Sequence, residues 1–162
     1  MFGRRARKSF DAQPTAPCEV LLASDGRRDF TRRAVAEAAA LAVSGPVAVL
    51  TIAKIYGTAY GIPNPGLLPS KEEVKERQDW LERAVVALRK RGVSSDGQLA
   101  ATRKPVGQIV RVARARSVRY IVIDASPGRG LRGLIEGDVG KTVARKLRSS
   151  GIEVRVIPAE GP

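Results

Sequence analysis

Residues 118–147 read VRYIVIDASPGRGLRGLIEGDVGKTVARKL. The run Tyr120–Ile123 is too short for a helix and rich in β-branched residues, so it reads as a buried strand closed by Asp124. Glycines follow at 128, 130, 133, 137 and 140. A helical segment within 138–149 comes next, and then the apolar run IEVRVIP at 152–158. A strand, a glycine-rich loop and a helix are the parts from which parallel sheets build phosphate sites. Whether this loop cradles a phosphate depends on the chain around it.

Working outward, the same alternation repeats. EVLLAS (19–24) is a short apolar strand ending in the turn Asp25-Gly26, and the alanine-rich segment 29–43 is a helix with Phe30, Ala34, Leu41 and Ala42 toward one side, stopping at Ser44-Gly45-Pro46. VAVLTIA (47–53) is a second strand, and the Gly/Pro-rich segment 56–69 reads as an irregular loop. Ser70 is an N-cap for a helix to about Arg91, with Glu72 and Glu73 in its first turn, basic residues in its last, and a buried stripe of Val74, Leu81, Val85 and Leu88. GQLAATR (97–103) is a modest strand, because Gly97 and Gln98 are poor strand formers. Pro105 opens a helix whose Val106, Ile109, Val110 and Ala113 fall on one face and turn Arg111 and Arg114 outward. Five strands with four helices predict one α/β domain, an open parallel sheet covered on both faces, over residues 18–158. Residues 1–17, basic and then proline-containing, read as a disordered tail.

Composition narrows the function. The 162 residues are 43% hydrophobic, enough for one core, and with no run of about 18 uncharged apolar residues and no apolar segment behind the basic start, neither a membrane span nor a secretory signal is expected. A lone cysteine, Cys18, agrees with a reducing compartment, and the expected location is the cytoplasm. No histidine occurs, which removes Ser-His-Asp and Cys-His chemistry; with no evident nucleophile and base pair, the expectation is that the chain is not an enzyme. A net charge of +13 and a pI near 10.8 point toward anionic partners. Arg103, Lys104, Arg111, Arg114, Arg116 and Arg119 lie in one stretch without an acid. Aromatics are only 4% and none is interleaved with these residues, so a solvated basic face is expected rather than a nucleic-acid partner.

Three phosphate-loop patterns can be set against residues 124–141. The Walker pattern requires glycine where Ile135 stands, and one strand alone remains downstream to supply a magnesium ligand. Gly128, Gly130 and Gly133 satisfy GxGxxG with Glu153 further on, yet Ala125-Ser126-Pro127 separates the strand from the first glycine and no second nucleotide half follows. The third pattern is a family's. VLLASDG, the Ala-rich first helix, VAVLTIA, PVGQIV and IVIDASPGRGLRGLIEGDVGKTVARKL with its terminal strand together resemble the universal stress protein family, from about Cys18 to Pro158.

That resemblance implies strand order 3-2-1-4-5 and a homodimer formed through the fifth strand, where Ile152, Val154 and Val156 share one face of an edge. Nucleotide-binding members carry Gly-x2-Gly-x9-Gly followed by Ser or Thr, whose amides and hydroxyl hold ATP phosphates; a bridging Mg²⁺ would offset an acid placed in that loop. Here Ala125 replaces the first glycine, eight residues separate Gly128 from Gly137, and Asp138 replaces the hydroxyl residue. A Cβ at 125 obstructs close approach, the deletion shifts the loop, and Asp138 caps the following helix with its own charge. Arg129, Arg132 and Lys141 offset that acid. The family's adenosine contacts fall on Asp25 and Ile52; Asp25 is equally a turn-forming residue before Gly26, and Arg27 stands where Ser or Thr is usual. The candidate contacts are then Ser24, Asp25, Ile52, Ala125, Gly128, Arg129, Gly130, Gly137, Asp138 and Val139. The expectation is a non-catalytic stress-responsive or regulatory protein with a degenerate nucleotide loop. An ATP-binding switch and a basic nucleic-acid-associated protein stay open as alternatives.

Overall fold

The computed structural model describes residues 16–55, 68–124 and 139–157. Its elements run β1 (Val20–Ser24), α1 (Arg32–Leu41), β2 (Val47–Lys54), α2 (Lys71–Lys90), β3 (Ser95–Thr102), α3 (Pro105–Ala115), β4 (Tyr120–Asp124), α4 (Val139–Leu147) and β5 (Glu153–Ile157). All strand pairs are parallel and the order is β3-β2-β1-β4-β5, as the resemblance implied.

The unbroken apolar strands are explained by two-sided burial. Along β1, Leu21 and Ala23 face one core with Ile109 and Ala113 of α3 and Val143 and Leu147 of α4. Val20 and Leu22 face the other, with Ala34 and Ala38 of α1 and Leu81, Val85 and Leu88 of α2. A strand with neither face in water has no polar position to alternate with. Every residue of β1 is buried.

Local chemistry fixes the helix ends. Ser70 accepts from the Glu73 amide while the Glu73 carboxylate accepts from the Ser70 amide, a reciprocal capping box that starts α2. Thr31 caps α1 by accepting from the Ala34 amide, so that helix begins later than the alanine-rich composition suggests. Val74, expected in the α2 stripe, is half-buried, and Ala84 joins Leu81, Val85 and Leu88 instead.

The third strand begins two residues earlier than its sequence indicates, and the poor strand formers explain themselves by packing. A Cβ at Gly97 would sit 2.8 Å from Leu81 Cγ, so the glycine lets α2 press onto the sheet edge. The Ser95 hydroxyl donates to the Val85 carbonyl and Arg89 donates to the Ser95 carbonyl, which ties the end of α2 to the start of β3.

The basic stretch 103–119 is not uniformly solvated. Arg116 is 1% exposed and forms a two-pronged pair with Asp96, Nη1 to Oδ1 at 2.6 Å and Nη2 to Oδ2 at 2.7 Å, while Nε donates to the Ala16 carbonyl. The hydrogen bond to Asp96 raises the Arg116 pKa against the opposing effect of burial. Nearby Cys18 is buried, and desolvation pushes its thiol up, so it packs as a small neutral group. At the amino ends of the strands, Arg116 thus anchors residue 16, within the segment expected to be a free tail.

The two partners of this pair are unequal, because the Asp96 side chain is 40% exposed and that of Arg116 only 2%. Asp96→Asn strands a guanidinium in the core and should cost about 3 kcal/mol. Arg116→Met leaves a carboxylate that water can reach and should cost less. Urea unfolding of both variants measures the order; an equal or reversed cost would contradict the asymmetry.

Candidate functional site

Polar chemistry in this fold gathers where the strand order reverses, between the carboxyl ends of β1 and β4. Ser24 and Asp124 are register partners there, both nearly fully buried. The loop from Asp25 to Phe30 leaves β1 and is fastened at several points. The Gly26 amide donates to Ser24 Oγ at 3.3 Å, and the Arg27 amide donates to Asp25 Oδ1 at 3.1 Å, so Asp25 does form the turn its sequence suggested. Asp29 Oδ2 accepts from Arg83 Nε of α2 at 2.9 Å.

Gly26 also defines one wall. Its φ is +77°, and a Cβ there would overlap the Ile52 carbonyl oxygen and lie 2.8 Å from the carbonyl carbon. The turn after β1 therefore rests directly on the backbone of β2. Ser24, Asp25 and Ile52, proposed from separate parts of the sequence, are brought to one rim of the crevice by this contact.

The residue that sequence reasoning missed is Asp124. It is 2% exposed, and its two oxygens are engaged across the switch point: Arg28 Nη2 donates to Oδ1 at 3.0 Å, and the Thr31 amide donates to Oδ2 at 2.6 Å. Thr31 is the N-cap of α1, so a carboxylate from β4 occupies the place at that helix start where a bound anion would sit. An acid closing the apolar run YIVI was the available signal, together with the DGRRDFT segment that supplies its partners.

Val139 opens α4 and packs against the core beside α3. Ala125, Gly128, Arg129, Gly130, Gly137 and Asp138 lie outside the described residues. Among the described residues no group of three His, Cys, Asp or Glu side chains is placed to hold a metal ion. What the described residues place at the switch point is the carboxylate of Asp25, backbone groups at a tight turn and a buried acid paired with Arg28.

Comparison with known proteins bears on this geometry. No protein-family model and no curated protein matches the chain. Solved structures do: the universal stress protein from Archaeoglobus fulgidus aligns with a TM-score of 0.62 at 24% identity, over 88% of this chain and 95% of that one. The chain has the universal stress protein fold. The structure of the Archaeoglobus fulgidus universal stress protein in complex with dAMP aligns at 23% identity with a TM-score of 0.53, over 87% of this chain and 98% of that one. A universal stress protein in complex with cAMP aligns at 18% identity with a TM-score of 0.58, covering 88% and 99%. At these identities the likeness is one of fold, and the universal stress protein architecture accounts for the sheet order.

The Gly26 contact is testable against a second glycine. Gly92 also has positive φ, +78°, but a Cβ there meets nothing within 4 Å. Gly92→Ala should cost about 1 kcal/mol of backbone strain alone. Gly26→Ala must in addition push the turn off β2 and should cost about 3 kcal/mol. Urea unfolding of the pair gives the difference, and equal costs would mean the turn does not bear on Ile52.

Proposed function

We propose that this chain is a non-catalytic, stress-responsive or regulatory protein of the universal stress protein type whose nucleotide loop is degenerate. The observation that carries the reading is Asp124, a carboxylate already bonded to the start of α1 and to Arg28 at the switch point. Asp138 adds a second acid by sequence, in the position of the hydroxyl residue. Two like charges about 4 Å apart cost about 4 kcal/mol at an effective dielectric of about 20, so a phosphate brought to Asp138 meets repulsion that one hydroxyl hydrogen bond would not offset, while Asp124, paired with Arg28, already takes the amide at the start of α1.

The same crevice supports a second reading, an ATP-binding switch. The fold is shared with proteins solved with dAMP and with cAMP, and the rim of Asp25, Gly26 and Ile52 fits the nucleoside side of such a ligand. Asp25 would accept from a ribose hydroxyl and the Ile52 backbone would border the base. Residues 125–138 would meet the phosphates, with Mg²⁺ supplying charge compensation. The chain holds no histidine to act as a general base near neutral pH, and binding rather than turnover is the proposed activity.

A homodimer through β5 belongs to the same proposal. β5 is an edge strand, Ile152 and Val154 are partly buried against the core, and Val156 is 37% exposed. The proposed location is the cytoplasm; no helix of the described residues is long and apolar enough to cross a membrane.

Two measurements test these readings. Calorimetric titration with Mg-ATP should give no binding to the wild type and a gain in Asp138→Ser; tight wild-type binding would replace the degenerate loop with the switch. Sedimentation should find a dimer that Val156→Glu converts to monomer, and a monomeric wild type would remove β5 as the interface.

A further inference from the structure

Charge is divided unequally between the two faces of the sandwich. On the α1–α2 face, α2 sets Glu72, Glu73, Glu76, Asp79 and Glu82 among its basic residues, and Lys75 pairs with Asp79 and Arg77 with Glu76. On the opposite face neither α3 nor α4 contains an acid. Lys104, Arg111 and Arg114 are exposed at i, i+7 and i+10, one stripe leading into and along α3. Lys141, Arg145 and Arg148 are exposed at i, i+4 and i+7 and form a second stripe along α4.

The fold places these stripes side by side. α3 and α4 contact one another and share a core through Ile109, Ala113, Val143 and Leu147, which fixes their opposite sides toward solvent. Helices packed this way run about 8–10 Å apart, and the stripe from Lys104 to Arg114 is about 15 Å long. Lys104, Arg111, Arg114, Arg145 and Arg148 enter no ion pair among the described residues. Arg116, the one basic residue of 103–119 with an ion pair among the described residues, is removed from the surface.

We propose that the outer face of α3 and α4 docks on the phosphate backbone of duplex nucleic acid without reading its sequence. A stripe of about 15 Å spans about four phosphates of one strand, at about 3.4 Å of axis per charge. Three features select this partner. Among the described residues the exposed large apolar ones are Val43, Leu68, Val86 and Val156, none on α3 or α4, so these two helices have nothing to insert into a lipid interface. Neither helix carries an aromatic residue on which an unpaired base would stack. Backbone contact needs cations and no aromatic, so the scarcity of aromatics that weighed against nucleic acid in the sequence bears on base stacking and leaves this mode untouched.

The test uses the full chain and a 20-base-pair duplex of arbitrary sequence, followed by fluorescence anisotropy at 50 and 200 mM salt. The five cations of the face that enter no ion pair among the described residues predict a loss of about 500-fold in affinity over that range. The triple variant Arg114→Gln, Arg145→Gln, Arg148→Gln should bind at least about 100-fold more weakly at 50 mM and reduce the logarithmic salt slope by about 2.7. A control carrying Arg32→Gln, Arg33→Gln and Lys90→Gln has the same net charge and the same N-terminal residues, with the exposed changes on the other face. It should bind as the wild type does. Equal loss in both variants would reduce the effect to net charge and overturn the proposal. Unchanged binding in the first variant, or capture by phosphatidylserine vesicles in place of the duplex, would overturn it too.

Discussion

A parallel sheet whose central strands are covered on both faces can place polar groups only where those strands stop. β1 and β4 are such strands, and their last residues, Ser24 and Asp124, are a register pair. Asp124 then has to be satisfied in a nearly dry position, because an unpaired buried carboxylate is far costlier than any hydrogen bond it replaces. The loop after β1 answers that demand: Arg28 supplies charge and the Thr31 amide supplies the orphan donor of a helix start. The loop's path, the starting point of α1 and the closure of the switch point follow from one carboxylate.

The architecture was legible because it is written in apolar runs and caps. Parallel strands such as VLLAS and VAVLTIA have no alternation to misread, and Ser70 with Glu73 announces a helix start by its own chemistry. Gly97 was misleading for a physical reason. Its value lies in what it lacks, a Cβ that Leu81 would meet, and that is a property of a neighbour distant in sequence. The site was legible in part: Asp25-Gly26 and Ile52 could be named, but the contact that unites them is between backbones and leaves no pattern of side chains to read.

Asp124 and Arg116 share the reason they escaped notice. Each is a charged residue whose role is set by a partner far along the chain, Arg28 for one and Asp96 for the other. A stretch of basic residues looks alike from end to end in sequence, and the fold alone sorts it into a buried anchor and an exposed stripe. Burial separates Arg116 from Arg114 although they are two residues apart, since the first sits past the end of α3 over the core and the second lies on the helix's outer side.

This sorting separates two anion questions that the composition joins. At the switch point, the positive end of α1 is met by Asp124, and among the described residues Arg28 pairs with that acid. Within α3 and α4 themselves no carboxylate intervenes, and neighbouring cations raise the local potential of one another. Mutual repulsion among them lowers the stability of the free protein, and a polyanion bound to that face relieves it, whereas a mononucleotide in the crevice does not.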